Sequence, residues 1–218
     1  MAITERYASS AGAGAKDGAA ASSAWDFATM LTSAVAGDRI NFLGNHTLTG
    51  AATFSNAGSA TSPIILRGYA STIGDCSALG RTNGNGPLVT TGMPVIACGT
   101  SYYLAMPQHS VLEAMTFTGS RSGYLANCGA YGVIVRCAAN NSGTGGSASA
   151  LYQSAGSSLI FDCDGTLSGG SGGLCAINAD YFVVGCRADG GASLAIRWVR
   201  GPPWSIASRF QRGPMPSK

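Results

Sequence analysis

Two aspartates separated by one cysteine are the residues whose types and spacing best fit acid–base chemistry in this chain. Asp162 and Asp164 flank Cys163 at the end of a short apolar run. If the run is a β-strand with Cys163 pointing inward, both carboxylates project from the same outer face, about 6–7 Å apart. A carboxylate pair at that separation suits acid–base work on a glycosidic bond. Asp162 and Asp164 are therefore the candidate catalytic residues.

The same two aspartates also have a structural explanation, because arginines recur at matching places in neighbouring runs. Arg136 stands one residue before a cysteine, as Asp162 does, and Arg187 stands one residue after a cysteine, as Asp164 does. If the runs stack about 4.8 Å apart as neighbouring strands, each aspartate faces one arginine. Three roles stay open for these pairs: structural ion pairing, catalysis, and contact with a ligand or a calcium ion. Arg136, Arg187 and Tyr152 are the candidate ligand-binding residues.

The elements that would hold these side chains are short apolar runs that end in a cysteine. The runs ending at Cys137, Cys163 and Cys186 follow a weaker copy ending at Met115, at steps of 22, 26 and 23 residues. A period in this range is typical of a solenoid, in which each coil stacks on the next. Short strands separated by Gly, Ser and Asn turns, without hairpin dipeptides between them, favour a parallel β-helix over a sandwich.

Strict alternation along each run predicts which side chains fill the interior. With the cysteines inward, the residues two and four positions before them also point inward: Val135, Phe161, Val184, Val133, Leu159 and Phe182. The same rule places Glu113 inside the core, unless a bulge shifts the register there. Inward cysteines with apolar neighbours and no nearby histidine indicate a packed column rather than a metal or redox site.

Composition divides the chain into three parts. Residues 1–36 are predicted to be a loose lead-in followed by a short amphipathic helix that closes one end of the core, with Ser23 as the candidate N-cap. Residues 37–196 form the solenoid. Residues 197–218 carry four arginines, one lysine, no acid and half of the eight prolines. Such a tail is expected either for a C-terminal cap or for the truncated or frame-shifted end of a longer gene.

Composition also excludes some classes of function. The 218-residue chain has a formal net charge of +3, and only 11% of its residues are charged. No stretch approaches the roughly 20 apolar residues of a membrane-spanning helix. The basic residues concentrate in the tail, so nucleic acid is not an expected partner. No secretory signal is visible, and the seven cysteines are expected to be reduced, buried thiols.

Other common site residues give weaker signals. His46 and His109 lie far apart in sequence, and both are predicted to be turn or surface residues. No serine or cysteine stands in a nucleophile motif such as G-x-S-x-G. Tyrosines that border turns offer stacking surfaces for sugars or serve as structural residues, with neither alternative favoured. They are Tyr102, Tyr103, Tyr124, Tyr131 and Tyr152.

Three segments in the N-terminal half resemble the opening of pectin-lyase-like right-handed β-helix proteins. They are AGDRINF at 36–42, SPIILRGY at 62–69 and EAMTFT at 113–118. In that superfamily a GD-x-I strand, a P-I-x-I-x-G strand and an I-E-G-L-T-F coil recur in this order. The resemblance covers about residues 25–196. It implies an all-β, right-handed parallel β-helix with a short N-terminal amphipathic capping helix, and it is specific for the fold rather than for one family.

The resemblance also implies a range of functions. The superfamily includes polysaccharide lyases, polysaccharide hydrolases, and tail and surface proteins of phages and bacteria, and its members share a side face on which a saccharide can lie. The hydrolases use outward carboxylates on adjacent coils, as Asp162 and Asp164 would be. The lyases usually need a lysine or arginine base, often with calcium. Lys16 and Lys218 both lie outside the predicted coils, so an arginine would have to serve, and no calcium motif is present.

Two functions are therefore expected as alternatives. The first is a carbohydrate-facing protein that binds or depolymerises a polysaccharide. The second is a non-enzymatic structural or adhesive β-helix, such as a phage tail or surface fibre component, for which the resemblance implies a homotrimer. The resemblance places either protein outside the cell or on a virion.

Overall fold

The computed structural model describes residues 3–82, 86–145, 147–153, 157–169, 176–179, 182–190 and, for the backbone alone, 196–198. One α-helix, α1, lies in these ranges, at Phe27–Ser33. The strands are β1 Thr4–Ser9, β2 Asp38–Leu43, β3 His46–Thr47, β4 Ala52–Thr53, β5 Ile64–Tyr69, β6 Val95–Gly99, β7 Leu104–Met106, β8 Ser110–Glu113, β9 Thr116–Gly119, β10 Ala126–Cys128, β11 Val133–Val135, β12 Ala138–Asn141, β13 Leu151–Gln153, β14 Leu159–Phe161, β15 Asp164–Leu167, β16 Ile177–Ala179, β17 Phe182–Val184, β18 Arg187–Gly190 and β19 Ile196–Trp198.

The strands form three parallel sheets that the chain visits in turn. The first sheet has the order β1-β2-β5-β8-β11-β14-β17, the second β3-β6-β9-β12-β15-β18, and the third β4-β7-β10-β13-β16-β19. Each coil contributes one strand to each sheet and pairs with the coils before and after it, so the architecture is a parallel β-helix. The predicted fold class is confirmed. The predicted boundary at residue 196 falls inside β19, and most of the predicted tail lies outside the described residues.

The core runs along the axis as columns of apolar side chains. In the first sheet one fully enclosed column, one residue per coil, consists of Ile40, Leu66, Leu112, Ile134, Ile160 and Val183. Beside it stand Met115, Cys137, Cys163 and Cys186, which are also buried. The inward cysteine column is therefore confirmed. Burial raises the pKa of the Cys163 thiol well above its ordinary value, so Cys163 is a protonated packing residue at neutral pH.

The predicted facing of the residues before each cysteine is wrong. Ile134, Ile160 and Val183 point inward, whereas Phe161 and Phe182 are 39% and 40% exposed. The reversal has a local cause, because in each of the four aligned coils the residue just before the cysteine, or before Met115, adopts the left-handed conformation. These residues are Ala114 (φ 56°), Arg136 (φ 51°), Asp162 (φ 51°) and Gly185 (φ 66°).

This left-handed residue turns the chain from the first sheet into the second and interrupts the alternation. All the residues predicted to accompany the cysteines inward therefore belong to the outer face: Val133, Val135, Leu159, Phe161, Phe182 and Val184. The same turn places Glu113 on the outer face and Leu112 in the core, which removes the buried acid that strict alternation predicts.

The N-terminal end is closed by an ordered cap rather than by a loose lead-in. Residues 4–9 form β1, the first strand of the first sheet, and the following segment pairs with its free edge. Tyr7 receives a hydrogen bond from the backbone N–H of Trp25 at 2.9 Å and donates its own to Gly18 at 3.0 Å. Trp25 is 5% exposed. The cap therefore satisfies an edge that would otherwise template aggregation.

Helix α1 is amphipathic, as predicted, and lies over the open end of the core. Its buried residues are Phe27, Met30 and Leu31. The N-cap is Asp26, whose side chain accepts a hydrogen bond from the backbone N–H of Thr29 at 2.7 Å. Ser23 belongs to a preceding 3₁₀ turn, so its predicted role as the N-cap is wrong. Across the described residues, no helix has the length and apolarity needed to cross a membrane.

Candidate functional site

Asp162 and Asp164 lie together on the outside of the corner between the first and second sheets. Asp162 is the left-handed residue of its coil, and Asp164 begins β15. Both side chains are largely buried, at 20% and 12% exposure. The guanidinium that joins them belongs to Arg81, whose Nε lies 2.6 Å from Asp162 Oδ1 and whose Nη1 lies 2.6 Å from Asp164 Oδ1.

The two cross-coil pairs predicted from the sequence are present. Arg136 Nε lies 3.4 Å from Asp162 Oδ2, and Arg187 Nη1 lies 4.0 Å from Asp164 Oδ2. Both are looser than the contacts of Arg81. Asp164 Oδ2 also accepts a hydrogen bond from the backbone N–H of Leu88 at 2.7 Å. All four carboxylate oxygens therefore have a cationic or backbone partner.

Arg81 reaches this corner from a long insertion that leaves the coil between β5 and β6. In its described parts, residues 70–82 and 86–94, the insertion runs along the outside of the β-helix and covers coils that follow later in the sequence. A small apolar cluster fixes it there, with Cys76, Leu88 and Met93 from the insertion packed on Ala114. The side chain of Arg136 donates a hydrogen bond to the carbonyl of Ser77. The acid–arginine cluster thus lies beneath the insertion.

The start of the insertion is shaped by one carboxylate. Asp75 accepts hydrogen bonds from the backbone N–H groups of Ala70, Ser71 and Thr72 at 2.8–3.0 Å. Burial acts to raise the pKa of Asp75, but these hydrogen bonds outweigh it and hold that pKa well below its ordinary value. Asp75 is therefore a charged turn residue at neutral pH, and it orders the segment that carries Arg81.

Arg81 is the residue of this cluster that sequence reasoning missed. It stands in a stretch without strand period, and its partners follow it by more than 80 positions. The available signal was the interruption of the coil period between Tyr69 and Val95. An interruption shows that an insertion exists, but it does not show the coil on which the insertion packs.

The chemistry of the cluster is that of a charge-assisted clamp. Three arginines face two aspartates, and the most buried guanidinium bridges both acids with the fork geometry that favours bidentate pairing. Among the described residues, no group of three or more His, Cys, Asp or Glu side chains is arranged to hold a metal ion.

A second cluster of candidate residues lies where the chain enters the third sheet. Tyr124 and Tyr152, from successive coils, stack with ring centroids 4.7 Å apart and an interplanar angle of 10°. Tyr103, from the preceding coil, meets Tyr124 edge-on at 4.7 Å. The guanidinium carbon of Arg121 lies 4.4 Å from the centroid of the Tyr103 ring. We call Tyr103, Tyr124, Tyr152 and Arg121 the tyrosine ladder.

The central phenol of the ladder, that of Tyr124, is less acidic than a free tyrosine. Burial, followed by the contact with Tyr103, raises the pKa of Tyr124 to about 12. Arg121 donates a hydrogen bond to the carbonyl of Tyr124 at 3.0 Å, which holds its guanidinium over the rings of Tyr103 and Tyr124. Arg121 takes part in no ion pair among the described residues, and it was not singled out from the sequence.

The other two predicted tyrosines lie elsewhere. Tyr102 packs against the main core. Tyr131 is 54% exposed and stacks on His109, with centroids 4.8 Å apart and an interplanar angle of 5°. Three of the five candidate tyrosines therefore share one surface.

Comparison with known proteins supports the architecture. No protein-family profile matches the chain, and no curated protein matches it. Among solved structures, pectate lyase Pel9A superposes with a TM-score of 0.59 at 14% sequence identity, over 86% of this chain and 48% of that enzyme. The fold is a right-handed parallel β-helix. The resemblance seen in the N-terminal segments is confirmed at the level of the fold, and the chain spans about half the length of the enzyme.

Proposed function

We propose that this protein binds a polysaccharide along the outside of its β-helix. The supporting observation is the tyrosine ladder, which presents one phenol per coil at three successive coils. A linear polymer lying parallel to the helix axis would meet the same chemistry at each coil. Tyrosine offers an apolar ring to sugar C–H groups and a hydroxyl to sugar hydroxyls at small conformational cost.

The fold adds support of a second kind. The structure that superposes on this chain is that of a pectate lyase, an enzyme named for its action on a polysaccharide. A parallel β-helix repeats its surface along one axis, so it suits ligands that repeat as well.

The acid–arginine cluster favours binding over cleavage at that corner. The catalytic role of Asp162 and Asp164 stays a prediction. Their four carboxylate oxygens are engaged by Arg81, Arg136 and the backbone, so an incoming glycosidic oxygen would have to displace a partner. Arg136 and Arg187 are about one-third exposed, and they stay candidate ligand contacts at the rim of the cluster.

Affinity electrophoresis tests the binding proposal. The protein is run through gels that contain one neutral or one acidic polysaccharide each, beside Tyr152→Ala and Arg121→Gln. We expect retardation by at least one polymer, and we expect either substitution to reduce it. Tyr131→Ala is the matched control, because it removes an exposed tyrosine from another corner, and its retardation should equal that of the wild type. No retardation by any polymer, or equal retardation of all variants, would contradict the proposal.

The catalytic prediction is tested separately. Incubation with the same polymers is followed by assays for unsaturated products and for new reducing ends. If Asp162 and Asp164 are catalytic, Asp162→Asn and Asp164→Asn abolish the products while the fold persists. Products that survive both substitutions would remove the two residues from the reaction.

A structural or adhesive role is the second candidate, and it is favoured by an apolar patch on the first sheet. The outer face of its last coils carries Phe161 and Phe182, which are 39% and 40% exposed, among half-buried valines. Exposed apolar patches of this kind mark interaction surfaces. A fibre component would associate through it, as a homotrimer by the resemblance. Light scattering that shows only a monomer, unchanged by Phe161→Lys, would count against this role.

A further inference from the structure

A serine and a histidine lie side by side at the N-terminal end of the β-helix, away from both clusters described above. Ser10 Oγ lies 2.9 Å from His46 Nδ1. The two residues are 36 positions apart, and the N-terminal cap brings them together by folding back along β1 and α1. This distance is within hydrogen-bond range for a nucleophile and its general base.

The imidazole is held in place by aromatic stacking. The ring of His46 lies on the ring of Phe27 in α1, with centroids 3.9 Å apart and an interplanar angle of 12°. Burial lowers the pKa of His46 below its ordinary value, so the ring is neutral at pH 7 and one nitrogen can accept a proton. Asp26 lines the same cleft and pairs with Lys16 at 3.0 Å, and Asp17 of the same cap segment accepts hydrogen bonds from the backbone N–H of Ala19 and the hydroxyl of Ser23.

A cleft of about 440 Å³ opens beside this pair. Ser10, His46 and Asp26 form its polar wall, and Phe27, Leu31 and Leu48 form part of its apolar wall. The rest of its lining consists of Thr49 and of small residues: Ala11, Ala28, Gly50, Ala51 and Ala52. Ser10 is exposed, so its hydroxyl is reachable from solvent. Small linings leave space for a short acyl group, and the apolar wall favours its methyl or methylene carbons.

We propose that Ser10 is a nucleophile, that His46 is its general base, and that the cleft accepts short acyl esters. Ser10 Oγ forms a bond to the ester carbonyl carbon and gives its proton to His46 Nδ1. The tetrahedral intermediate then expels the alcohol, which takes that proton from the imidazolium. Water, deprotonated by His46, next attacks the acyl-serine. The carboxylic acid leaves and Ser10 regains its proton, so the net reaction is ester plus water to acid plus alcohol.

The sequence offers no motif for this pair, because the residues come from separate segments and no G-x-S-x-G elbow is present. The inference is independent of polysaccharide binding, since the tyrosine ladder shares no residue with the cleft. Failure of either proposal therefore leaves the other intact.

Two measurements on the 218-residue chain test the proposal. In the first, the wild type is treated with diisopropyl fluorophosphate and digested, and mass spectrometry locates the adduct. We expect modification at Ser10. In the second, 4-nitrophenyl acetate hydrolysis is followed for the wild type, Ser10→Ala and His46→Gln. We expect each substitution to lower the rate by about 10²-fold or more, and we expect the wild-type rate to rise with pH through the lowered pKa of His46.

Ser22→Ala is the matched control, because Ser22 is an exposed serine of the same cap segment, and its rate should equal that of the wild type. The adduct experiment needs no variant, so it tests whether Ser10 is a nucleophile even if His46→Gln unfolds. Absence of an adduct at Ser10 would overturn the proposal. Unchanged hydrolysis by Ser10→Ala with a lowered unfolding temperature would also overturn it, since the hydrogen bond would then be structural alone.

Discussion

Arg81 shows how much one side chain can organise. Its Nε and Nη1 bridge Asp162 and Asp164, its Nη1 also donates to the carbonyl of Gly86, and its Nη2 donates to the carbonyl of Cys163. Its side chain is 10% exposed. Guanidinium is suited to this place because its planar fork satisfies several acceptors while its charge is delocalised.

Removal of Arg81 should destabilise the protein more than removal of a rim arginine. In Arg81→Met two nearly buried carboxylates lose their shared cation, and we expect the free energy of unfolding to fall by about 3 kcal/mol. Arg187→Met loses a pair with Asp164 at 4.0 Å and one with the exposed Asp189 at 3.6 Å. Because both pairs are long and the Arg187 side chain is more exposed, this substitution should cost less than about 1 kcal/mol. Urea denaturation measures both. Equal losses would show that Arg81 does not carry the cluster.

Asp26 should make stability depend on pH in the acid range. Its carboxylate caps α1 and pairs with Lys16, and the hydrogen bond from the backbone of Thr29 is the largest influence that lowers its pKa to about 2. The folded-state pKa lies below the unfolded value of about 3.9. The stabilisation is therefore present above about pH 4 and is lost as the pH falls toward about 2.

Two substitutions separate the cap from the charge. Asp26→Ala should cost about 1 kcal/mol at neutral pH, the usual value of an N-cap. Asp26→Asn keeps an acceptor for the N–H of Thr29 but cannot titrate, so its stability should vary less than that of the wild type between about pH 4 and pH 2. Unfolding midpoints across that range provide the measurement, and parallel pH profiles for the wild type and Asp26→Asn would contradict the assignment.

At the scale of elements, the corner between the first and second sheets determines which side chains of each coil point into the core. Its left-handed residue is a glycine only in the last of the four coils, at Gly185. The other three coils use Ala114, Arg136 and Asp162 at φ of 51–56°, although non-glycine residues favour that region less. Two of the cluster's charged residues therefore occupy strained turn positions.

Alanine substitutions at two glycines should separate the cost of a positive φ from the cost of steric overlap with a neighbouring coil. A Cβ at Gly185 has only ordinary contacts, the nearest at 3.8 Å from the backbone of Asp162, so Gly185→Ala should cost about 1 kcal/mol from the positive φ alone. A Cβ at Gly190, where φ is +81°, would overlap the carbonyl oxygen of Leu167 in the neighbouring coil. Gly190→Ala should therefore cost clearly more. Thermal unfolding compares the two, and equal effects would contradict the coil register.

The period of the coils could be predicted from the sequence, but the backbone conformation at the corner between the first and second sheets could not. The cysteines repeat because each packs on the next, so the column, the register and the pairs of Arg136 and Arg187 could be predicted. The facing of Phe161 could not, because a non-glycine residue at positive φ leaves no composition signal. Arg81 could not be placed either, since the packing of an insertion depends on contacts distant in sequence.

At the scale of the whole molecule, the outer surface changes character along and around the axis. In the first coils the first sheet presents a polar ladder, in which Glu5 pairs with Arg39 and Asn41 accepts from Arg67 at 2.7 Å. In the last coils the same face is apolar around Phe161. The tyrosine ladder and the insertion-covered cluster occupy other sides. Under the functions proposed above, one β-helix would carry separate surfaces for self-association and for a polymer.

Chemical footprinting of the tyrosines tests the central claim, polysaccharide binding at the tyrosine ladder, most directly. The protein is nitrated with tetranitromethane with and without each polysaccharide of the panel, and mass spectrometry measures nitration at each tyrosine. Without polymer, Tyr124 should react least of the three ladder tyrosines, because the reaction needs the phenolate and the pKa of Tyr124 is raised to about 12. With the bound polymer, we expect nitration of Tyr103 and Tyr152 to fall while that of Tyr131 is unchanged. Equal nitration of all three with and without every polymer, or protection of Tyr131 alone, would contradict the account.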